Sequence, residues 1–221
     1  MFIGHFAVGL ASKRIAPRAS LGVLMAAPNL LDLLWPIFLL LGWEQVRIDP
    51  GNTAFTPLDF VSYPVSHSLL AACAWGVLFT LAYWMVTRYV RGAVVIGVSV
   101  VSHWLLDFVT HRPDMPLYPG GPRLGLGLWN SVPATIAIEG AMYVAGVWLY
   151  LSATRAKDRV GSYALWAFLA FSVAVYSASI AGPPPPGTRA IACVTLTLWL
   201  VPLWAWWIDC HREVKASKPH P

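Results

Sequence analysis

Charge is scarce in this chain. Only 11% of its 221 residues are Asp, Glu, Lys or Arg, against about 25% in a typical soluble domain. So few polar groups cannot cover a water-facing surface, which excludes an ordinary soluble domain. Cysteine is scarce too. Cys73, Cys193 and Cys210 form no CxxC pair and no even-numbered disulfide framework. Cys73 and Cys193 lie in apolar runs and are expected to be inert core residues. No GxSxG, Walker A or GxGxxG motif stands in a strand–helix context, and there is no internal repeat. What is abundant is apolar surface: 57% hydrophobic residues, 12 Trp and a mean hydropathy of +0.62. That excludes a disordered chain and points to a polytopic membrane protein. The net charge of +5 does not imply a nucleic-acid partner, because the basic residues cluster between the apolar runs.

Six runs are long enough to cross a bilayer: 20–42, 65–87, 92–110, 132–152, 162–181 and 189–208. The four prolines 183–186 separate the last two. The reading is therefore an all-α, single integral membrane domain over 1–221. It has an N-terminal segment at 1–18, site-bearing helices over 20–152 and two further helices over 160–210. Eleven basic residues fall on the side of the termini: Lys13, Arg14, Arg18, Arg88, Arg91, Arg155, Lys157, Arg159, Arg212, Lys215 and Lys218. Only Arg47, Arg112, Arg123 and Arg189 fall on the other. The positive-inside rule then places both termini in the cytoplasm. The two long loops, 43–64 and 111–131, face outward and mark the working face. Residues 1–12 are apolar but too short to span. They read either as a half-helix with its N-terminus inside the membrane or as an amphipathic helix on the inner surface.

Ionisable residues interrupt these apolar runs. At ~1.5 Å per residue, Asp32 and His103 lie ~17–18 Å from the inner edge of their spans. Asp107 and His111 follow one and two turns beyond His103, His67 lies near the outer start of its span, and Glu139 is buried in the fourth. His5 joins them if the N-terminal half-helix points inward. Each carboxylate at a helix centre costs ~3 kcal/mol, and no Lys or Arg lies inside a span to offset it. A divalent cation would, since structural zinc sites release ~10–16 kcal/mol. The motif His103-Trp-Leu-Leu-Asp107 puts two ligands on one helical face. His5, Asp32, His67, His103 and Asp107 are the expected metal ligands, with Zn the expected metal. Glu139 or Asp107 is expected to act in catalysis. Asn29, Ser68 and His111 are expected beside the ligands or the substrate. Tyr63, Asp59, Trp129 and Asn130 are outer-loop residues that either shape an entrance or anchor at the interface, while His211 and His220 read as solvated tail residues.

The order Gly4-His5…Gly9, Pro28-Asn29-Leu30-Leu31-Asp32, His67-Ser68 and His103…Asp107 resembles the YdjM-like family of bacterial inner-membrane proteins, described as metal-dependent hydrolases. The likeness covers residues 1–117. The family's second element commonly reads Pro-Asp-x-Asp; here Asn29 replaces the first carboxylate and Asp32 is displaced by one position. The resemblance implies a zinc-type phosphoesterase-like site in the bacterial inner membrane.

The leading expectation is a membrane-embedded metal-dependent hydrolase that acts on a lipid or lipid-linked (phospho)ester in the outer half of the membrane. Its partners would be membrane lipids and a hydrophobic or lipid-linked substrate. The alternative is a proton- or cation-coupled transporter or channel using the same carboxylates. A haem protein with His67 and His103 as axial ligands is a third.

Overall fold

A computed structural model describes residues 1–215 of the chain; Lys218 and His220 lie outside them. The N-terminal segment is helix α1 (Ile3–Ile15), buried on almost every side, with Lys13 and Arg14 in its last turn. Its 13 residues are too few for a full crossing, its burial does not suit a surface position, and it packs chiefly along α7, described below. Gly146 of that helix permits the approach: a Cβ there would come within 2.6 Å of the Ala7 carbonyl oxygen.

The first long apolar run does not form one helix. It breaks into α2 (Leu21–Ala26), N-capped by Ser20, and α3 (Leu30–Leu40). Pro28 has no N–H to donate, and the chain is interrupted at Ala27–Asn29. Asn29 Nδ2 donates to the Met25 carbonyl at 2.7 Å, satisfying a group that the break leaves open.

The segment that follows forms strands β1 (Gln45–Ile48) and β2 (Leu58–Ser62), an antiparallel pair. A single turn, α4 (Pro64–His67), leads into α5 (Leu69–Thr87), N-capped by Ser68. Helix α6 (Val90–Thr110) returns alongside α5. Their contact is close because Gly76 and Gly97 face each other's helix, the small-residue packing common between membrane helices. Strands β3 (Met115–Pro116) and β4 (Arg123–Leu124) and a 3-10 turn (Leu128–Asn130) precede α7 (Val132–Ala153). Strand β5 (Thr154–Ala156) and helix α8 (Arg159–Ala181) come next. The last apolar run is α9 (Thr188–Leu196) and α10 (Leu200–Cys210), joined through a 3-10 turn, and strand β6 (Arg212–Val214) pairs with β5.

The chain is thus mostly helical. Among the described residues, five helices have the length and apolarity to cross a membrane: α5, α6, α7, α8 and the composite Thr188–Cys210; Leu30–Leu40 is apolar but shorter. The expected six equivalent spans become five plus a broken element. The three small sheets are a departure from a purely helical reading, because short loop strands carry too little periodic pattern to be seen. Cys73, Cys193 and Cys210 all lie on the exposed surface rather than in the core. An apolar helix face looks the same in sequence whether it meets protein or lipid.

Contacts define two ends of the molecule. At one end, Arg18 lies over the Tyr89 ring, Lys13 pairs with Asp209 and Lys157 Nζ donates to the Cys210 carbonyl. At the other, Arg123 donates to the Val61 carbonyl, the Phe55 N–H donates to the Trp129 carbonyl, and Arg112 pairs with Asp59.

Candidate metal centre

Four elements bring His5, Asp32, His67, His103 and Asp107 together. His5 lies in the first turn of α1, Asp32 in the first turn of α3, His67 ends α4, and His103 and Asp107 share a face of α6. His103 Nε2 is 3.0 Å from Asp107 Oδ2 and 3.8 Å from Asp32 Oδ1. His67 Nε2 is 3.3 Å from Asp32 Oδ1 and 3.9 Å from Asp107 Oδ2. The two Nε2 atoms are themselves only 3.3 Å apart. Within the cluster only Asp32 keeps appreciable exposure, its side chain 28% accessible.

The outer atoms of each ring decide what the inner atoms can be. His103 Nδ1 lies 2.7 Å from the Pro28 carbonyl. A carbonyl only accepts, so Nδ1 carries the proton and donates. The broken helix supplies this acceptor: the gap between α2 and α3 leaves the Pro28 oxygen free of a helical partner. His67 Nδ1 lies 2.6 Å from Ser66 Oγ, and Ser66 Oγ donates to Glu44 Oε2 at 2.7 Å. The hydroxyl proton is therefore committed to Glu44, and Ser66 accepts from His67 Nδ1–H. His111 Nδ1 lies 2.9 Å from Asp114 Oδ1, with Tyr63 Oη also donating to that carboxylate. Burial holds His111 below its ordinary pKa, which keeps its Nε2 unprotonated. That atom sits 3.9 Å from Asp107 Oδ2. Burial, and next the Asp114 carboxylate, push the Tyr63 hydroxyl well above its usual range, so Tyr63 stays a donor.

Three imidazoles thus carry a proton on Nδ1 and turn Nε2 toward two carboxylates. Two ring nitrogens 3.3 Å apart repel if both are unprotonated, unless a cation or proton lies between them. Imidazoles held at Nδ1 by carboxylates or carbonyls, with Nε2 free, are the usual dress of metal-binding histidines. The residue types suit zinc or another borderline divalent metal. Two overlapping sets offer ligand atoms within 4.8 Å of one another: Asp32, His67, His103 and His5, His103, Asp107. His5 Nε2 lies 3.0 Å from Asp107 Oδ1, the His5 ring stacks on His103 at 3.9 Å, and His5 Nδ1 has no partner. The donor set fits a divalent cation. The same geometry removes the haem reading, since a macrocycle cannot enter between nitrogens 3.3 Å apart.

Other expected residues land elsewhere. Glu139 stands beside the cluster rather than in either ligand set: its Oε2 accepts from the Phe2 N–H at 2.8 Å and the Gly4 N–H at 3.3 Å. It thereby supplies the anion that the first turn of α1 lacks, while its Oε1 has no partner among the described residues. The absence of a cationic partner is also corrected, because the Met1 amino nitrogen donates to Asp107 Oδ1. The Asn29 side chain donates to the Met25 carbonyl and has no hydrogen bond to the cluster among the described residues; the Pro28 carbonyl is what meets His103. Ser68 caps α5, accepting from the Ala71 N–H and donating to the Pro64 carbonyl. The serine on His67 is its other neighbour, Ser66. His111 is buried with its Nε2 3.9 Å from Asp107 Oδ2, and Trp129 packs on it at 4.2 Å between ring centroids. Of the other outer-loop residues, Asp59 pairs with Arg47 and Arg112. His211 is tied to Asp158 at 2.7 Å rather than fully solvated.

Glu44, Ser66 and Asp114 were missed by sequence reasoning. Ser66 could have been found, since it adjoins His67. Glu44 and Asp114 sit in loops, where only the fold reveals their partners.

No curated protein and no solved structure matches the chain. The sequence model of one family, the YdjM inner membrane proteins, matches residues 1–182, which is most of the chain and includes every residue of the cluster. This chain therefore belongs to the YdjM inner membrane protein family.

Proposed function

We propose that the protein is a membrane-embedded metal-dependent hydrolase whose centre is built on Asp32, His67, His103 and Asp107. The observation that carries this is the pair of Nε2 atoms 3.3 Å apart beside two carboxylates. One proton between the rings bridges only the two nitrogens, and protonating both to satisfy Asp32 and Asp107 would set two Nε2–H groups against each other, whereas one divalent cation attracts all four groups. His5 and His111 flank Asp107 and complete the ligand shell. A bound zinc would activate water and polarise an ester. Glu139, with one buried oxygen unpartnered, is the carboxylate assigned to accept the released proton.

The substrate assigned is a lipid or lipid-linked (phospho)ester, because the cluster lies among membrane-length helices. The broken α2–α3 element is read as a sixth crossing, and α1 as a half-helix with its N-terminus at depth. Irregular backbone at membrane depth is tolerated where protein surrounds it, and the Ala27–Asn29 break is buried. The basic residues at the end bearing Lys13, Arg88 and Lys157 support cytoplasmic termini.

One observation favours a second reading. A discontinuous helix beside intramembrane carboxylates is also a transporter feature. Metal analysis and a phosphoester screen on purified protein separate the two. Zinc-dependent ester cleavage lost in Asp107→Ala supports the hydrolase. A metal-free protein that moves protons or cations in proteoliposomes supports the transporter.

A further inference from the structure

We infer that Ser66 and Glu44 are positioning residues that hold His67 in the tautomer and orientation a divalent cation requires. The inference rests on the metal-centre reading and concerns a contact outside the ligand set. Glu44 stands just after α3, 22 residues from Ser66, yet it is buried against the turn that carries His67. Its Oε1 accepts from the Val65 N–H at 2.9 Å and the Ser66 N–H at 2.7 Å, and its Oε2 from Ser66 Oγ at 2.7 Å. The last bond consumes the only hydroxyl proton on Ser66. Ser66 Oγ can then only accept from the ring 2.6 Å away, so the His67 proton is held on Nδ1 and the lone pair on Nε2. The ring plane is fixed as well, with the Trp35 ring at 6.5 Å and the Tyr63 ring at 5.3 Å between centroids.

A purely structural role is the competing account, since Glu44 also caps the N-terminus of a short helical turn. The two accounts differ at Ser66. Ser66→Ala leaves both backbone bonds to Glu44 in place and removes the hydroxyl that joins Glu44 Oε2 to the imidazole. His67 then loses its Nδ1 acceptor, and the Nε2–H tautomer competes. Such outer partners are typically worth 10–100-fold in metal affinity.

The test is titration of detergent-purified full chain, stripped of metal, with Zn²⁺ alone, read by calorimetry beside thermal unfolding of the same samples. The expected result is a 10–100-fold weaker Zn²⁺ Kd in Ser66→Ala, recovery in Ser66→Thr, and a metal-free Ser66→Ala that still unfolds in one cooperative transition, its midpoint lowered by the lost bond to Glu44. Should Ser66→Ala fail to fold, Glu44→Gln tests the same link, since its amide oxygen still accepts from the backbone but its charge no longer fixes the hydroxyl. Wild-type affinity in the folded variant would overturn the positioning role while leaving the metal centre standing. A wild type that binds no Zn²⁺ would overturn the metal reading itself, and the positioning role with it.

Discussion

His103 shows how much one side chain's surroundings decide. Its outer nitrogen is bound to a backbone carbonyl, so its inner nitrogen is left to the cluster. Asp107 is equally committed: one oxygen faces His103, and the other faces His5 and the Met1 amino group. Replacing either residue by Ala should abolish stoichiometric zinc binding. Ser68→Ala and Asn29→Ala should retain it, although loss of the Ser68 cap should cost about 1 kcal/mol of stability. Elemental analysis of the four purified variants checks this, and zinc loss in Ser68→Ala would place that serine at the centre after all. The residues that sequence reading finds are those with no other reason to be in an apolar run, such as Asp32, His103 and Asp107. The residues it misses, Glu44 and Asp114, lie in polar loops where another carboxylate attracts no notice.

Among the elements, the break between α2 and α3 has the most consequence. A continuous helix through 20–42 would hold the Pro28 carbonyl within its own hydrogen-bond ladder. The interruption turns that carbonyl toward His103. Pro28→Ala removes the residue that resists helix formation, a penalty of ~3 kcal/mol in a helix interior. The helix can then close and withdraw the acceptor. Zinc affinity should fall ~10-fold or more, measured by the same titration; an unchanged affinity would show that the break is held by other contacts. Docking of α1 is the second critical element. Gly146→Val sets a side chain against the Ala7 backbone, and overpacking of this kind costs roughly 1–3 kcal/mol. The unfolding midpoint should fall and the segment around His5 should become open to protease, whereas a wild-type midpoint would mean that α1 packs less tightly than the structure shows. The four long helices from α5 to α8 are legible in sequence to within a few residues, because a bilayer demands length and apolarity together. The break is not, since Pro28 and Pro36 both lie in the same run and only Pro28 interrupts it. The loop strands are too short to announce themselves.

Across the whole molecule, the two ends differ in charge. Ten basic residues lie toward the end of Lys13 and Lys157 among the described residues, and Arg47, Arg112, Arg123 and Arg189 lie toward the other. With the three native cysteines replaced, a cysteine at Tyr118 should react with an impermeant thiol reagent added outside the cell. One at Lys157 should react only after the membrane is opened, and the reverse pattern would invert the topology. Bound metal is what most sharply separates this centre from a proton network. Elemental analysis of detergent-purified wild type, beside His103→Ala and Asp107→Ala shown to be folded, tests it most directly. Near-stoichiometric zinc or another divalent transition metal is expected in wild type, and its loss in both variants. A folded wild type without metal, even after incubation with Zn²⁺, would contradict it.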